Sequence, residues 1–177
     1  MKKLVFLGIL ACSLVAGLSS CGAEDNSFVA VRSDRAKLID PFESYENIST
    51  VQQRLTDGGF KWAVIEDSQT VAKGEKRPPF HIHVIKVENF SNQGFEGSLK
   101  LQFFNDRMMA AWFYPKNFTS YRAALESRYP ELRSGGATVI DQFTRIEFGV
   151  DHEQHDYVAW EDSRLRDELA LWIRRYA

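Results

Sequence analysis

Leu99-Lys100-Leu101-Gln102-Phe103-Phe104-Asn105-Asp106-Arg107-Met108-Met109-Ala110-Ala111-Trp112-Phe113-Tyr114 is the stretch that decides the fold. Two apolar, β-favouring runs, Ser98 to Phe104 and Met108 to Tyr114, flank Asn105-Asp106, and Asn and Asp tolerate the positive φ that a tight turn demands. The stretch therefore predicts an antiparallel hairpin. Adjacent strand residues point to opposite faces of a sheet. Phe103 and Phe104, and likewise Trp112, Phe113 and Tyr114, must then load both faces with aromatic rings. One face belongs to the core; the large groups on the other need cover from the rest of the chain, from a partner protein, or from a lipid or glycan. Phe104, Trp112 and Tyr114 are the candidate interaction residues.

Working outward, Phe80 to Val87 reads as a β-branched strand, and Phe60, Trp62 and Val64 alternate with Lys61, Ala63 and Ile65 in another. Thr70 to Pro79 is a loop. Ser49-Thr50-Val51-Gln52 fits a capping box with Ser49 as the N-cap, and Gly58-Gly59 stops the short helix that follows. Downstream, Asn117 caps a second helix carrying Phe118, Tyr121 and Leu125. Val139 to Val150 is mostly extended, and Tyr157 to Trp160 resumes a strand. Asp162 or Ser163 caps a last helix with the apolar stripe Leu165, Leu169, Trp172 and Tyr176. The order predicts an α+β domain over residues 41–177: a mostly antiparallel sheet with about three helices on one face.

The N-terminal part differs in character. Met1-Lys2-Lys3 is basic and Leu4 to Leu18 largely apolar, and a run of about fifteen residues is too short for the twenty or so that span a bilayer. This pattern is a secretory leader. Leu18-Ser19-Ser20-Cys21 resembles the lipobox of bacterial lipoproteins. The resemblance implies removal of residues 1–20, lipidation of Cys21 and attachment to a membrane through the N-terminal lipid. Gly22, rather than Asp, after the cysteine implies the outer membrane, facing the periplasm. Residues 21–40, small and charged apart from a few apolar side chains, read as the lipidated cysteine and its tether. Processing would leave 157 of the 177 residues, with 20 basic and 24 acidic side chains and a net charge of −4. That balance lacks the basic footprint of a nucleic-acid binder. With Cys21 as its one cysteine, the processed chain has no disulfide, no thiolate nucleophile and no cysteine metal site.

Residues 46–114, a capped helix followed by a meander ending in the hairpin, resemble in layout the SmpA/OmlA small outer-membrane lipoproteins. The Gly-Met before the helix and the Leu-Gly-x-Pro after it are missing, so the likeness implies envelope scaffolding and carries over no functional residue. It agrees with binding to an envelope protein rather than catalysis.

Four histidines are the candidate chemistry. His81 and His83 share one strand face, and His152 and His155 lie in the polar turn Asp151 to Asp156. Together with a carboxylate they would suit zinc or copper if the fold joined them, the one cofactor class the sequence suggests. His152-Glu153-Gln154-His155 is one residue short of the zinc-protease pattern. Nucleophile elbow, phosphate loop and dinucleotide fingerprint are absent. Glu66, Asp67, Glu88 and Glu96 are the acids from which a carboxylate pair for glycan hydrolysis would come.

Overall fold

The computed structural model describes residues 34–70 and 77–177. The leader, Cys21 and the tether up to residue 33 lie outside the described residues. The elements are α1 (Ile48–Asp57), β1 (Trp62–Thr70), β2 (Phe80–Asn92), β3 (Phe95–Phe104), β4 (Arg107–Pro115), α2 (Phe118–Arg128), a 3-10 turn (Pro130–Ser134), β5 (Thr138–Val139), β6 (Thr144–Val150), β7 (Asp156–Asp162) and α3 (Ser163–Tyr176). The strands form one seven-stranded antiparallel sheet in the order β1-β2-β3-β4-β7-β6-β5. None of the described helices is long and apolar enough to cross a membrane.

The β3–β4 hairpin forms as its sequence predicts. Asn105 and Asp106 take φ values of 48° and 63°, the doubly left-handed turn whose twist matches the flanking strands. Phe103 and Phe104 then enter two separate cores. Phe103 joins Ile85, Leu99, Leu101 and Phe113 beneath α1 and α2, whose Val51, Leu55, Tyr121 and Leu125 are fully buried. Phe104 faces the other way, with Ile82, Val84, Met109 and the α3 residue Leu165. Fully burying one such ring contributes on the order of 2–3 kcal/mol, so both faces at this end of the hairpin must be covered.

The α+β class and the three helices stand. Their expected placement on one face holds for α1 and α2, whereas α3 packs on the opposite face. Its apolar stripe is as predicted: Leu165 is buried, Leu169 packs beside it, and Trp172 lies 4.3 Å from the Phe80 ring, centroid to centroid. The reason for the change of face is Phe104, with Ile82 and Val84 on the neighbouring strand, which needs an apolar cover that the solvent side of a single-faced sheet lacks.

Two further expectations change. The N-cap of α1 is Asn47, whose side chain accepts from the backbone N–H of Thr50 at 2.8 Å, while the Ser49 hydroxyl donates to the same Asn47 oxygen. Asn caps as well as Ser, and the helix simply starts two residues earlier than the capping-box pattern implied. The boundary drawn at residue 41 also moves, because Ala36, Leu38, Ile39 and Phe42 are all at least 95% buried in the main core. The segment from 34 to 40 is polar on average, but its few apolar residues are the ones that dock. The caps at Asn117 and Asp162 and the stop at Gly58-Gly59 are as read, with Gly59 at φ +69°.

Asp162 ties these parts together. It is fully buried, accepts from the backbone N–H groups of Arg164 and Leu165, and pairs with the Arg164 guanidinium at 2.6 Å. Arg164 in turn reaches Asp34 at 2.7 Å and stacks over the Phe143 ring. Burial opposes the charged form of Asp162, but hydrogen bonds from Arg164 and Ser44 outweigh it and hold the carboxyl below its ordinary range. A depressed carboxyl contributes stability above its unfolded pKa and loses it as pH falls through the folded value. Asp162→Ala is expected to cost about 3 kcal/mol in urea unfolding at neutral pH, from the lost cap and the stranded guanidinium. Asp162→Asn should flatten the acid side of the stability-against-pH curve, and an unchanged acid limb would refute this role.

Candidate functional site

The histidine pairs do not meet. His81 and His83 point from β2 toward the face that carries Phe103, and the His83 and Phe103 rings lie 6.0 Å apart. The backbone of Asn105 donates to the carbonyl of His81, which fixes the pair at the turn end of the hairpin. The turn from Asp151 to Asp156 sits at the other end, where Asp151 reaches Lys100 on the opposite face. There the Asp151 carboxylate accepts from the backbone N–H groups of Glu153 and His155. His152, whose side chain is 86% exposed, makes a long contact of 4.0 Å to Glu153. Sequence spacing could not reveal this separation, since it follows from strand order: β7 pairs with β4 so that Val158 lies opposite Phe113 near the strand's far end.

What the fold brings to His81 and His83 is a pair of carboxylates. Asp67 Oδ1 lies 2.7 Å from His81 Nε2 and 3.2 Å from His83 Nδ1, and Asp106 Oδ1 lies 2.8 Å from His81 Nδ1. Asp67 reaches this face because of a register shift in β1 between Val64 and Glu66. Val64 pairs with Ile85, yet Asp67 pairs with His83; an uninterrupted ladder would have set Glu66 opposite His83 and turned Asp67 away. One extra residue in a strand re-aims every side chain beyond it. Asp106 arrives by a second route, from the hairpin turn, whose Asn105 side chain also accepts from the His81 backbone N–H at 2.9 Å.

The cluster is electrostatically paired. Partial burial works against the charged His81 ring, but hydrogen bonds to Asp67 and Asp106 support it and raise its pKa above that of an ordinary imidazole. Hydrogen bonds from His81, then His83, hold the Asp67 carboxyl below its usual range. His83 is 7% exposed, and its Nε2 is buried with no hydrogen-bond partner among the described residues.

The remaining acids are engaged singly: Glu66 with Ser68, Glu88 with Lys86, and Glu96 with Lys116.

The second candidate region is the part of the sheet that α3 leaves uncovered. Phe104 is taken up by the core and offers nothing to a partner, being 1% exposed beneath α3. Trp112 and Tyr114, on the same face but further along β4, remain half-buried. They flank Tyr157 of β7, at centroid distances of 6.0 and 5.7 Å, and the Lys100 ammonium lies 4.6 Å from the Tyr114 ring. Burial and then the nearby Asp151 push the Tyr114 phenol up to about 12, so it is a neutral hydrogen-bonding group. Beside it runs a groove of about 480 Å³ lined by Lys86, Lys100, Tyr114, Lys116, Asp151 and His155. Tyr157 had no sequence signal, because its neighbours come from a strand more than forty residues away along the chain.

Gly149 sets the position of that ring. It stands opposite Tyr157 in the β6–β7 ladder, and a Cβ there would run into the Tyr157 ring. The ring therefore lies flat over a bare backbone, next to Trp112. Gly149→Ala is expected to destabilise by about 1–3 kcal/mol through overpacking, and by much less in a Tyr157→Ala background, with a coupling energy above about 0.5 kcal/mol in the double-mutant cycle. Additive effects in urea unfolding would show that the glycine serves something else.

No protein-family model matches the chain, and no curated protein matches it well enough to carry an argument.

Proposed function

We propose that this chain is a lipid-anchored protein of a bacterial cell envelope, attached through Cys21 to the outer membrane and facing the periplasm, that binds another envelope protein without catalysing a reaction. The observation that carries the binding part is the uncovered strip Trp112–Tyr157–Tyr114, with Lys100 over Tyr114. The open side of an antiparallel sheet is ordinarily polar and solvated. Here it carries three large rings whose edges combine apolar area with polar tips, the residue types most enriched at binding hot spots. Lys86, Lys100, Lys116 and Asp151 line the groove beside Tyr114 with charges that would orient a partner.

The anchoring part is supported by the leader and by Leu18-Ser19-Ser20-Cys21. Each buried methylene contributes about 0.8 kcal/mol, so the three long chains of a mature lipoprotein would make attachment effectively permanent.

Two measurements test this reading. Mass spectrometry of the mature N-terminus should find Cys21 as the first residue carrying acyl chains; an unmodified, soluble product ends the anchoring part. Cross-linking in the native envelope should capture a defined protein, and the Trp112→Ser/Tyr114→Ser double variant should lose it while its circular dichroism spectrum and cooperative unfolding stay intact. Loss of folding in that variant would assign the two rings to the core and overturn the interface.

A further inference from the structure

Two imidazoles on alternate residues of one strand and a carboxylate opposite them make a compact set of donors. One ligand atom from each of Asp67, His81 and His83 lies within 4.8 Å of the other two. In a tetrahedral site with bonds of 2.0–2.2 Å, neighbouring donors stand about 3.4 Å apart, and the Asp67 contacts here are 2.7 and 3.2 Å. Lengthening each Asp67 contact by less than an ångström would bring both to that spacing.

We propose that Asp67, His81 and His83 form a binding site for a divalent transition-metal ion of the zinc class, with Asp106 as the residue that orients His81. Two further observations support the assignment. A metal-bound histidine characteristically donates its other ring N–H to a carboxylate, and Asp106 is in place to accept from His81 Nδ1 at 2.8 Å, leaving Nε2 for the ion. The β1 register shift selects the shorter Asp over Glu66 for the position facing His83, and such bulges recur where a side chain has to be re-aimed at a site. His83 would bind through Nδ1, the nitrogen that faces Asp67.

The ligand types narrow the ion. Two nitrogen donors and one oxygen suit zinc, copper, nickel or iron and disfavour magnesium and calcium, which take oxygen ligands. The side chain of Asp67 is 62% exposed, so the site opens to solvent and leaves at least one coordination position for water. The turn containing His152 and His155 takes no part. The site is independent of the aromatic strip, and its failure would leave the binding reading above untouched.

Isothermal titration of the untagged, detergent-purified full chain with zinc chloride tests the site, with magnesium chloride in parallel. One zinc per chain with a Kd of about 1 µM or tighter is expected, with no magnesium heat. Asp67→Asn and His81→Ala should each weaken binding at least about tenfold, and Asp106→Asn about tenfold as an orienting residue, all with unchanged circular dichroism. The exposed carboxylate of Asp67 makes its Asn variant the one least liable to misfold. His152→Ala/His155→Ala should bind as the unsubstituted chain does. Absence of zinc binding at about 100 µM, or binding that survives Asp67→Asn and His81→Ala within threefold, would overturn the proposal and leave the cluster as an ion-paired clasp.

Discussion

Phe103 and Phe104 are neighbours in one strand and cannot face the same way. This single constraint of the pleated chain obliges the sheet to bury both of its faces at the turn end of the hairpin. Most of the architecture follows from it. One ring is served by α1, α2 and the segment around Leu38 and Phe42; the other requires a second apolar layer, which α3 provides by returning from β7 to lie against Phe80, Ile82 and Phe104. The Asp162 cap and its pairing with Arg164 begin that helix and link its first turn to Ser44 and Asp34. The two-sided core is therefore a consequence of one dipeptide and of the connections long enough to reach both sides of it.

The same alternation creates the open region. Beyond the β3–β4 register shift the even-numbered residues of β4 run away from the turn end, where α3 lies across Phe104 and Met109, so Trp112 and Tyr114 occupy a part of that face that α3 does not cover. Tyr157 completes the strip because β7 pairs with β4 rather than with a strand adjacent in sequence, and because Gly149 leaves room for its ring. Thus a core and a candidate interface share one sheet face, divided by where α3 lies across the strands.

Local chemistry was readable in the sequence and long-range pairing was not. The hairpin turn, the caps at Asn117 and Asp162, the glycine stop at Gly58-Gly59 and the stripe of α3 each depend on residues within a few positions of one another. The cluster at His81 depends on a bulge more than a dozen residues upstream and on a turn more than twenty residues downstream. Spacing alone placed His81 and His83 on one face and left open whether His152 and His155 joined them, which the strand order prevents. Asp67 appeared in the sequence only as one of several acids, since nothing in Val64-Ile65-Glu66-Asp67 announces which residue the ladder will skip. The α1 cap and the start of the folded body erred for a milder reason: Asn47 competes with Ser49 on equal terms, and four buried apolar residues were diluted in a polar segment.

The location of the histidine cluster bears on the stability of the sheet itself. β1 is an edge strand, and after Trp62 all of its residues are exposed; among the described residues no strand pairs with its outer row of N–H and C=O groups, the kind of edge to which another chain can add. The opposite edge avoids this hazard by being short, since β5 has two residues. β1 is protected differently: its bulge breaks the regular ladder, and Glu66 and Asp67 put charge on it. Apart from its ladder to β2, the side-chain contacts that bind the middle of β1 inward run from Asp67 to His81 and His83. A cation bound by these three residues would add a link between the two strands at the point where the ladder is interrupted. Edge protection and ligand binding would then rest on the same residue, because the bulge that keeps β1 from extending the sheet is also what turns Asp67 toward the histidines.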